Sequence, residues 1–136
     1  MSLFAPKRSI MVALVASLVL LGLAREGISQ APEPIVVAGV VVLRVRTAAG
    51  GFSIAERARV IRSRIALALT SEDLTPANVY VAPAGSELGI RAGRVLLVTV
   101  TEADARANET TTPALAVSWL AALRKTLPAA GPRPRR

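Results

Sequence analysis

The fold is decided by residues 35–69, which read IVVAGVVVLRVRTAAGGFSIAERARVIRSRIALAL. The first part is rich in valine and predicts strand. Gly39 interrupts the valines, which indicates either a tight hairpin or a bulge, and Gly50 and Gly51 then end the strand. The apolar residues that follow recur at helical spacing. The stretch therefore predicts strands that are followed directly by an amphipathic helix.

The predicted helix begins with a capping box. The hydroxyl of Ser53 can accept a hydrogen bond from the amide of Glu56, and the Glu56 side chain can reach back to the amide of Ser53. We expect the helix to run to about Leu69 and to bury one apolar stripe. The stripe consists of Ile54, Ala58, Ile61, Ile65 and Leu69.

Arg57 and Arg64 lie along one edge of this stripe, and three interpretations are open. The sequence favours a solvated flank in which the aliphatic parts of both side chains cover the core. In the second interpretation Arg57 pairs with an acid of another capped helix, such as Asp104, and locks helix to helix. In the third, the edge contacts an anion or a partner protein. Arg57→Ala would destabilise the fold only under the second interpretation.

The second half of the chain predicts three short strands, at residues 78–82, 87–91 and 94–100. Ala92 and Gly93 form the expected turn before the last strand. That strand is continuously apolar, which favours a central position in the sheet.

Two helices follow. We expect Thr101 to cap a short helix, and Thr112 to cap a final helix with Pro113 at its first position and Pro128 at its end. The elements together predict an α+β fold. It is a small sandwich of a mostly antiparallel sheet, about four to five strands, with two to three helices on one face, after an N-terminal apolar helix. Since 52% of residues are hydrophobic but only 3% aromatic, the expected core is aliphatic, with Trp119 as an anchor.

The chain contains no cysteine and no histidine. Their absence excludes thiol catalysis, disulfides, imidazole bases and almost every zinc, copper or haem site. No motif for an activated serine is present, and Glu102 and Asp104 are explained by their place in a helix's first turn. We therefore expect a protein that is not an enzyme, with no catalytic residue, no metal ligand and no cofactor.

The net charge of +8 comes almost entirely from arginine. It indicates either contact with nucleic acid or an anionic membrane, or the base composition of a GC-rich genome. The arginines are scattered instead of clustered, which favours the second explanation. We expect no nucleic-acid partner.

The N-terminal segment has the pattern of an export signal. Lys7 and Arg8 precede an apolar run at residues 10–24, which is shorter than the roughly 20 residues that span a bilayer comfortably. Cleavage after Ala24 is one interpretation, and an uncleaved signal anchor is the other. The expected membrane-facing residues are Ile10, Leu14, Leu18 and Leu21. Either way the domain lies outside the cytoplasm, in the periplasm or anchored to the inner membrane.

The chain accordingly divides into four parts. Residues 1–24 form the signal peptide or anchor, residues 25–34 a linker, residues 35–127 the extracytoplasmic α+β domain, and residues 128–136 a disordered tail rich in proline and arginine.

Two stretches resemble a known family. The first is Phe52-Ser53-Ile54-Ala55-Glu56-Arg57-Ala58, and the second is Val98-Thr99-Val100-Thr101-Glu102-Ala103-Asp104-Ala105, followed by Leu115-Ala116 and Trp119. Their order and separation resemble the extracytoplasmic N-terminal domain of small-conductance mechanosensitive channel-like proteins of cyanobacteria and other bacteria. The pore-forming segments of those proteins have no counterpart in this sequence. The resemblance implies a stand-alone sensory or interaction domain.

The expected function is therefore that of a non-enzymatic exported domain that binds a membrane protein or an envelope component. The alternative is a single-span accessory subunit of a membrane complex, anchored by residues 10–24. The two differ in whether the apolar segment remains attached.

Overall fold

The computed structural model describes residues 31–132. The expectations for the N-terminal apolar segment, including Ile10, Leu14, Leu18 and Leu21, lie outside the described residues, as does most of the predicted tail. The elements in chain order are β1 (Glu33–Val37), β2 (Val40–Val45), α1 (Ile54–Ser71), a single 3₁₀ turn (Pro76–Asn78), β3 (Val79–Ala84), β4 (Glu87–Ala92), β5 (Val95–Val100), α2 (Glu102–Ala107) and α3 (Thr112–Ala130). The predicted α+β class is confirmed.

The strands form two antiparallel sheets rather than a single one. β1 pairs with β2, and β3, β4 and β5 form a meander in that order. Each sheet joins strands that are neighbours in sequence, as short connections favour. The long helix α1 separates β2 from β3 along the chain. Helices α1 and α3 each pack against strands of both sheets, so the two sheets share one core.

The sequence left open whether Gly39 marks a tight hairpin or a bulge, and the β1–β2 hairpin contains both features. Ala38 and Gly39 form a tight turn with positive φ angles of +49° and +80°, and Val37 pairs with Val40 across it. The pairing register also shifts, because Ile35 pairs with Leu43 and Val36 with Val41, so that Val42 is the extra residue of a bulge in β2. The result is a short, self-paired hairpin.

The central position expected for the last strand is wrong, because β4 lies in the middle and β5 at one edge of the three-stranded sheet. Leu97 and Val98 are both buried, although neighbouring residues of a strand point to opposite faces. Helices α1 and α3 both pack against this strand. Coverage by helices, and not a central place in the ladder, explains its continuous apolarity. The turn before β5 consists of Gly93 and Arg94, one position later than expected.

The end of α3 also differs from the prediction. Pro128 does not stop the helix, which continues to Ala130 and ends with the amide of Gly131 donating to the carbonyl of Leu127. A proline removes one amide donor from the helix, and the helix continues for only two residues beyond it, so a single bond in the last turn is lost. Residues 128–130 are therefore helical, and the predicted tail begins after them.

The core is aliphatic, as expected. Ile35, Ile90, Leu97, Leu123 and Leu127 are among the largest side chains removed from water, and Trp119 is 5% exposed. Among residues 31–132, no helix combines the length and apolarity required to cross a membrane.

Candidate functional site

Arg57 lies inside the protein and not on a solvated flank. Its relative exposure is 5%, and that of Asp104 is 1%. The preferred sequence interpretation is thus wrong for Arg57, and the second one, a lock between helices, describes its contacts. Arg57 is one of the buried residues of α1, together with Ala58 and Ile61, and its side chain is therefore on the side of the helix that faces the protein interior.

The pair is bidentate. Nη1 of Arg57 donates to Oδ1 of Asp104 at 2.6 Å, and Nη2 donates to Oδ2 at 2.7 Å. Two parallel charge-assisted hydrogen bonds fix both the distance and the orientation of the planar groups. They connect the first turns of α1 to the N-terminal turn of α2.

The remaining terminal N–H groups of Arg57 bind backbone. Nη1 also donates to the carbonyl of Thr47 at 3.1 Å, and Nη2 donates to the carbonyl of Thr99 at 2.8 Å. Thr47 follows β2, and Thr99 is in β5. The guanidinium of α1 therefore joins the segment after β2, strand β5 and the start of α2.

The carboxylate of Asp104 receives two more hydrogen bonds. The hydroxyl of Thr47 donates to Oδ1 at 2.8 Å, and the amide of Thr101 donates to Oδ2 at 3.0 Å. Burial raises the pKa of Asp104, but the hydrogen bonds from Arg57, Thr101 and Thr47 and the positive charge of Arg57 outweigh it, so the pKa is lowered overall. Within residues 31–132, no buried side-chain nitrogen or oxygen lacks a hydrogen-bond partner.

The capping predictions at the first two helices are confirmed. The amide of Glu56 donates to Oγ of Ser53 at 3.2 Å, and the amide of Ser53 donates to Oε2 of Glu56 at 3.4 Å. Thr101 and Asp104 form a second capping box, in which the amide of Asp104 donates to the Thr101 hydroxyl at 3.1 Å. Asp104 therefore caps α2 and neutralises Arg57 with the same carboxylate.

The cap predicted at Thr112 is wrong by one residue. Thr111 is the N-cap of α3, and its hydroxyl accepts from the amide of Ala114 at 3.3 Å. Helical backbone angles begin at Thr112, and Pro113 occupies the second helical position, where its missing amide costs no hydrogen bond.

Arg64 does not form an ion pair with Asp104. It is half-buried and lines a cavity of about 240 Å³ between α1 and β5, together with Arg57, Phe52, Glu87 and Leu96. In the described part of the chain, no ion pair and no hydrogen bond involves Arg64. Contact of this edge with an anion or a partner protein stays a prediction for Arg64.

A second feature was missed by sequence reasoning. Residues 36–41, which we call the valine tip, form the end of the β1–β2 hairpin and carry no polar side chain. Val36 and Val40 are each 51% exposed, and Val41 is 43% exposed. Val36 pairs with Val41, so these two side chains stand on the same face. The unbroken apolar run across the turn was the available signal.

An apolar groove adjoins the valine tip. Its volume is about 410 Å³, and its lining includes Val36, Ala38, Ala66, Leu69 and Ala130. Arg62 borders it, with Nη2 donating to the carbonyl of Pro34 at 2.8 Å and to the Glu33 carboxylate at 3.2 Å. The groove extends the exposed apolar surface from the hairpin onto α1.

Across residues 31–132, no group of three or more acidic side chains is arranged to hold a metal ion. Within the same described range, the titratable groups that are buried belong to the Arg57–Asp104 pair.

Residues 34–130 match a family model described as a domain of unknown function, DUF8459. The chain belongs to the DUF8459 family. The matched residues extend from β1 to the end of α3, so the DUF8459 domain includes both the buried pair and the valine tip. Searches against curated proteins and solved structures gave no match. The resemblance to the extracytoplasmic domain of mechanosensitive channel-like proteins stays a prediction.

Proposed function

We propose that this DUF8459 domain is an exported, non-enzymatic interaction domain that binds a membrane protein or another envelope component through its valine tip. The observation that carries the proposal is the exposure of Val36, Val40 and Val41 at one end of a hairpin. Single exposed apolar residues are ordinary on protein surfaces, but clustered ones mark contact sites.

The rest of the domain supports a role as a rigid carrier of this tip. The Arg57–Asp104 pair ties α1, α2, β5 and the segment after β2 together through side-chain hydrogen bonds. The charged groups of the pair form hydrogen bonds with each other and with the backbone. Because these groups already have partners within the domain, the arrangement supports a structural role over a catalytic one. A fixed scaffold with an apolar end is suited to binding rather than to chemistry.

The export of the domain is part of the proposal and rests on the basic and apolar pattern of residues 7–24. The alternative function, a single-span accessory subunit, rests on the same segment. Intact mass of the protein recovered from its native envelope distinguishes them. A mass that begins at Arg25 supports a released domain, and a full-length mass supports an anchored subunit.

A photo-crosslinking amino acid at Val40 tests the interaction itself. The matched control has the same amino acid at Val117, which is a valine of α3 with 65% exposure. Val117 lies 13 residues from Ala130 at the groove, or about 20 Å along the helix. We expect an adduct with an envelope component from position 40 and none from position 117. Equal labelling at both positions, or none at either, would contradict the proposal.

A further inference from the structure

The proposed function does not specify the chemical class of the partner. The structure of the valine tip indicates which class it is suited to bind. We infer that the tip binds the surface of an anionic lipid bilayer, with the exposed Val36, Val40 and Val41 entering the interface and the exposed arginine of β2 contacting lipid phosphates. This inference rests on the proposed function and names the envelope component.

The side chains of the tip suit the apolar part of the membrane interface, since none of those at positions 36–41 contains a polar atom. Val36 pairs with Val41 and Val37 with Val40, whereas Ala38 and Gly39 form the turn outside this pairing. Backbone amides and carbonyls that lack a partner cannot enter the hydrocarbon core. The tip is therefore suited to the hydrated interface and not to a deeper position in the bilayer.

The backbone conformation of Ala38 is a second observation that supports binding to a membrane surface. Its φ of +49° lies in the left-handed region, followed by Gly39 at +80°. Hairpin turns with two positive φ angles favour asparagine, aspartate or glycine at the first position, since the β-carbon of alanine is crowded there. The chain nevertheless carries an apolar alanine at this position. An apolar residue in place of the favoured polar ones is an advantage where the turn leaves water.

The shape of the tip favours a bilayer over a protein partner. A stable protein interface buries about 800 Å² on each side, which exceeds what three exposed valines, an alanine and the adjoining groove offer together. A bilayer accepts a small apolar wedge, and a second, electrostatic attraction then completes the binding.

Charge complementarity supplies that second attraction. The net charge of +8 is spread over the whole chain, but Arg44 is exposed on β2, four residues from Val40, or about 13 Å along the strand. With the tip about 5 to 10 Å into the interface, Arg44 lies about 3 to 8 Å outside it, within a Debye length of about 8 to 10 Å. Basic residues at that distance are attracted to anionic lipid.

The absence of cysteine from the sequence makes a local test possible. Full-length Val40→Cys and Val117→Cys variants each carry one thiol for an environment-sensitive fluorophore. The probe is a vesicle of phosphatidylglycerol and phosphatidylcholine, compared with phosphatidylcholine alone. Because the readout is local, attachment through residues 10–24 does not confound it.

We expect the label at position 40 to shift to shorter wavelength with anionic vesicles and to be quenched by lipids that carry a nitroxide near the headgroup. The shift should weaken in neutral vesicles and at high salt. The label at position 117 should remain unchanged. Adding Ala38→Asn to Val40→Cys should reduce the shift while raising the midpoint of thermal unfolding, a combination that a damaged fold cannot produce.

Two outcomes overturn the inference, and they have different consequences for the proposed function. If the position-40 label stays in water while the photo-crosslinker at Val40 captures a membrane protein, the lipid partner is wrong and the interaction domain stands. If the label stays in water and no envelope component is captured, both proposals fail.

Discussion

The guanidinium of Arg57 and the carboxylate of Asp104 lie side by side, joined by hydrogen bonds of 2.6 and 2.7 Å between residues 47 positions apart. The pair is buried, and each partner also binds backbone groups. A buried ion pair of this kind is weak evidence for net stability, because both charges lose their hydration. Removing one partner, however, leaves the other charge buried without its counterion.

Arg57→Ala should therefore destabilise the fold by about 3 to 5 kcal/mol, measured as the free energy of unfolding in urea. The matched control is Arg62→Ala, which removes the exposed pair with Glu33 and should cost about 0 to 1 kcal/mol. Arg57→Met combined with Asp104→Asn should cost less than the sum of the two single changes, since neither charge is then left alone. A loss for Arg57→Ala as small as that for Arg62→Ala would contradict a structural lock.

The stability of the domain should depend on the ionisation of Asp104. Its pKa is lowered in the folded state, so its contribution is present above the unfolded-state pKa and is lost as pH falls through the folded-state pKa. Unfolding free energy should fall more steeply with acid for the parent protein than for Asp104→Asn. Because the chain has no histidine, no side chain with an ordinary pKa near 6 adds a slope between about pH 5 and 8. Parallel acid curves for the two proteins would rule out this linkage.

Relieving the strain in the hairpin turn should stabilise the domain. Ala38→Asn or Ala38→Gly should raise the unfolding free energy by about 0.5 to 1 kcal/mol, because both residues adopt positive φ more readily. Gly39→Ala is the control with the opposite sign. No atom lies within 4 Å of a β-carbon at position 39, so its expected cost of about 1 kcal/mol reflects backbone strain and not a clash. Thermal unfolding of the three variants measures all of these effects.

The cap of α3 can be assigned by two neighbouring substitutions. Thr111→Ala should cost about 1 kcal/mol, because it removes the hydroxyl that accepts from the amide of Ala114. Thr112→Ala should be close to neutral, since alanine favours the first helical turn. Urea unfolding of the two variants is the measurement. A larger loss for Thr112→Ala would restore the cap predicted from the sequence.

Local signals in the sequence predicted local structure well. Ser53 and Glu56 cap α1 because both partners of a capping box lie within one turn. The partner of Arg57 is 47 positions away, and no local pattern states whether an arginine at the edge of a stripe faces water or a carboxylate. Thr111 and Thr112 differ only in where helical angles begin, which depends on the preceding chain.

The errors in the strand predictions have a different cause. Continuous apolarity reports that a segment is buried or exposed to an apolar medium, and it does not report which elements cover it. In β5 the covering elements are helices, although the strand lies at the edge of its sheet. At residues 36–41 the same kind of pattern includes Val37, which is buried in the core, and Val36, Val40 and Val41, which are exposed.

The double contact of Asp104 has a consequence for motion. Helix α2 has six residues, which is too short to persist in water without support. Its first turn is held by the same carboxylate that holds Arg57, so opening the ion pair and unwinding α2 are one event and not two. The amides of Ala105 and Asn108, which bond back to Thr101 and Asp104, would then exchange with solvent with the same opening free energy as the contact of α1 at this corner.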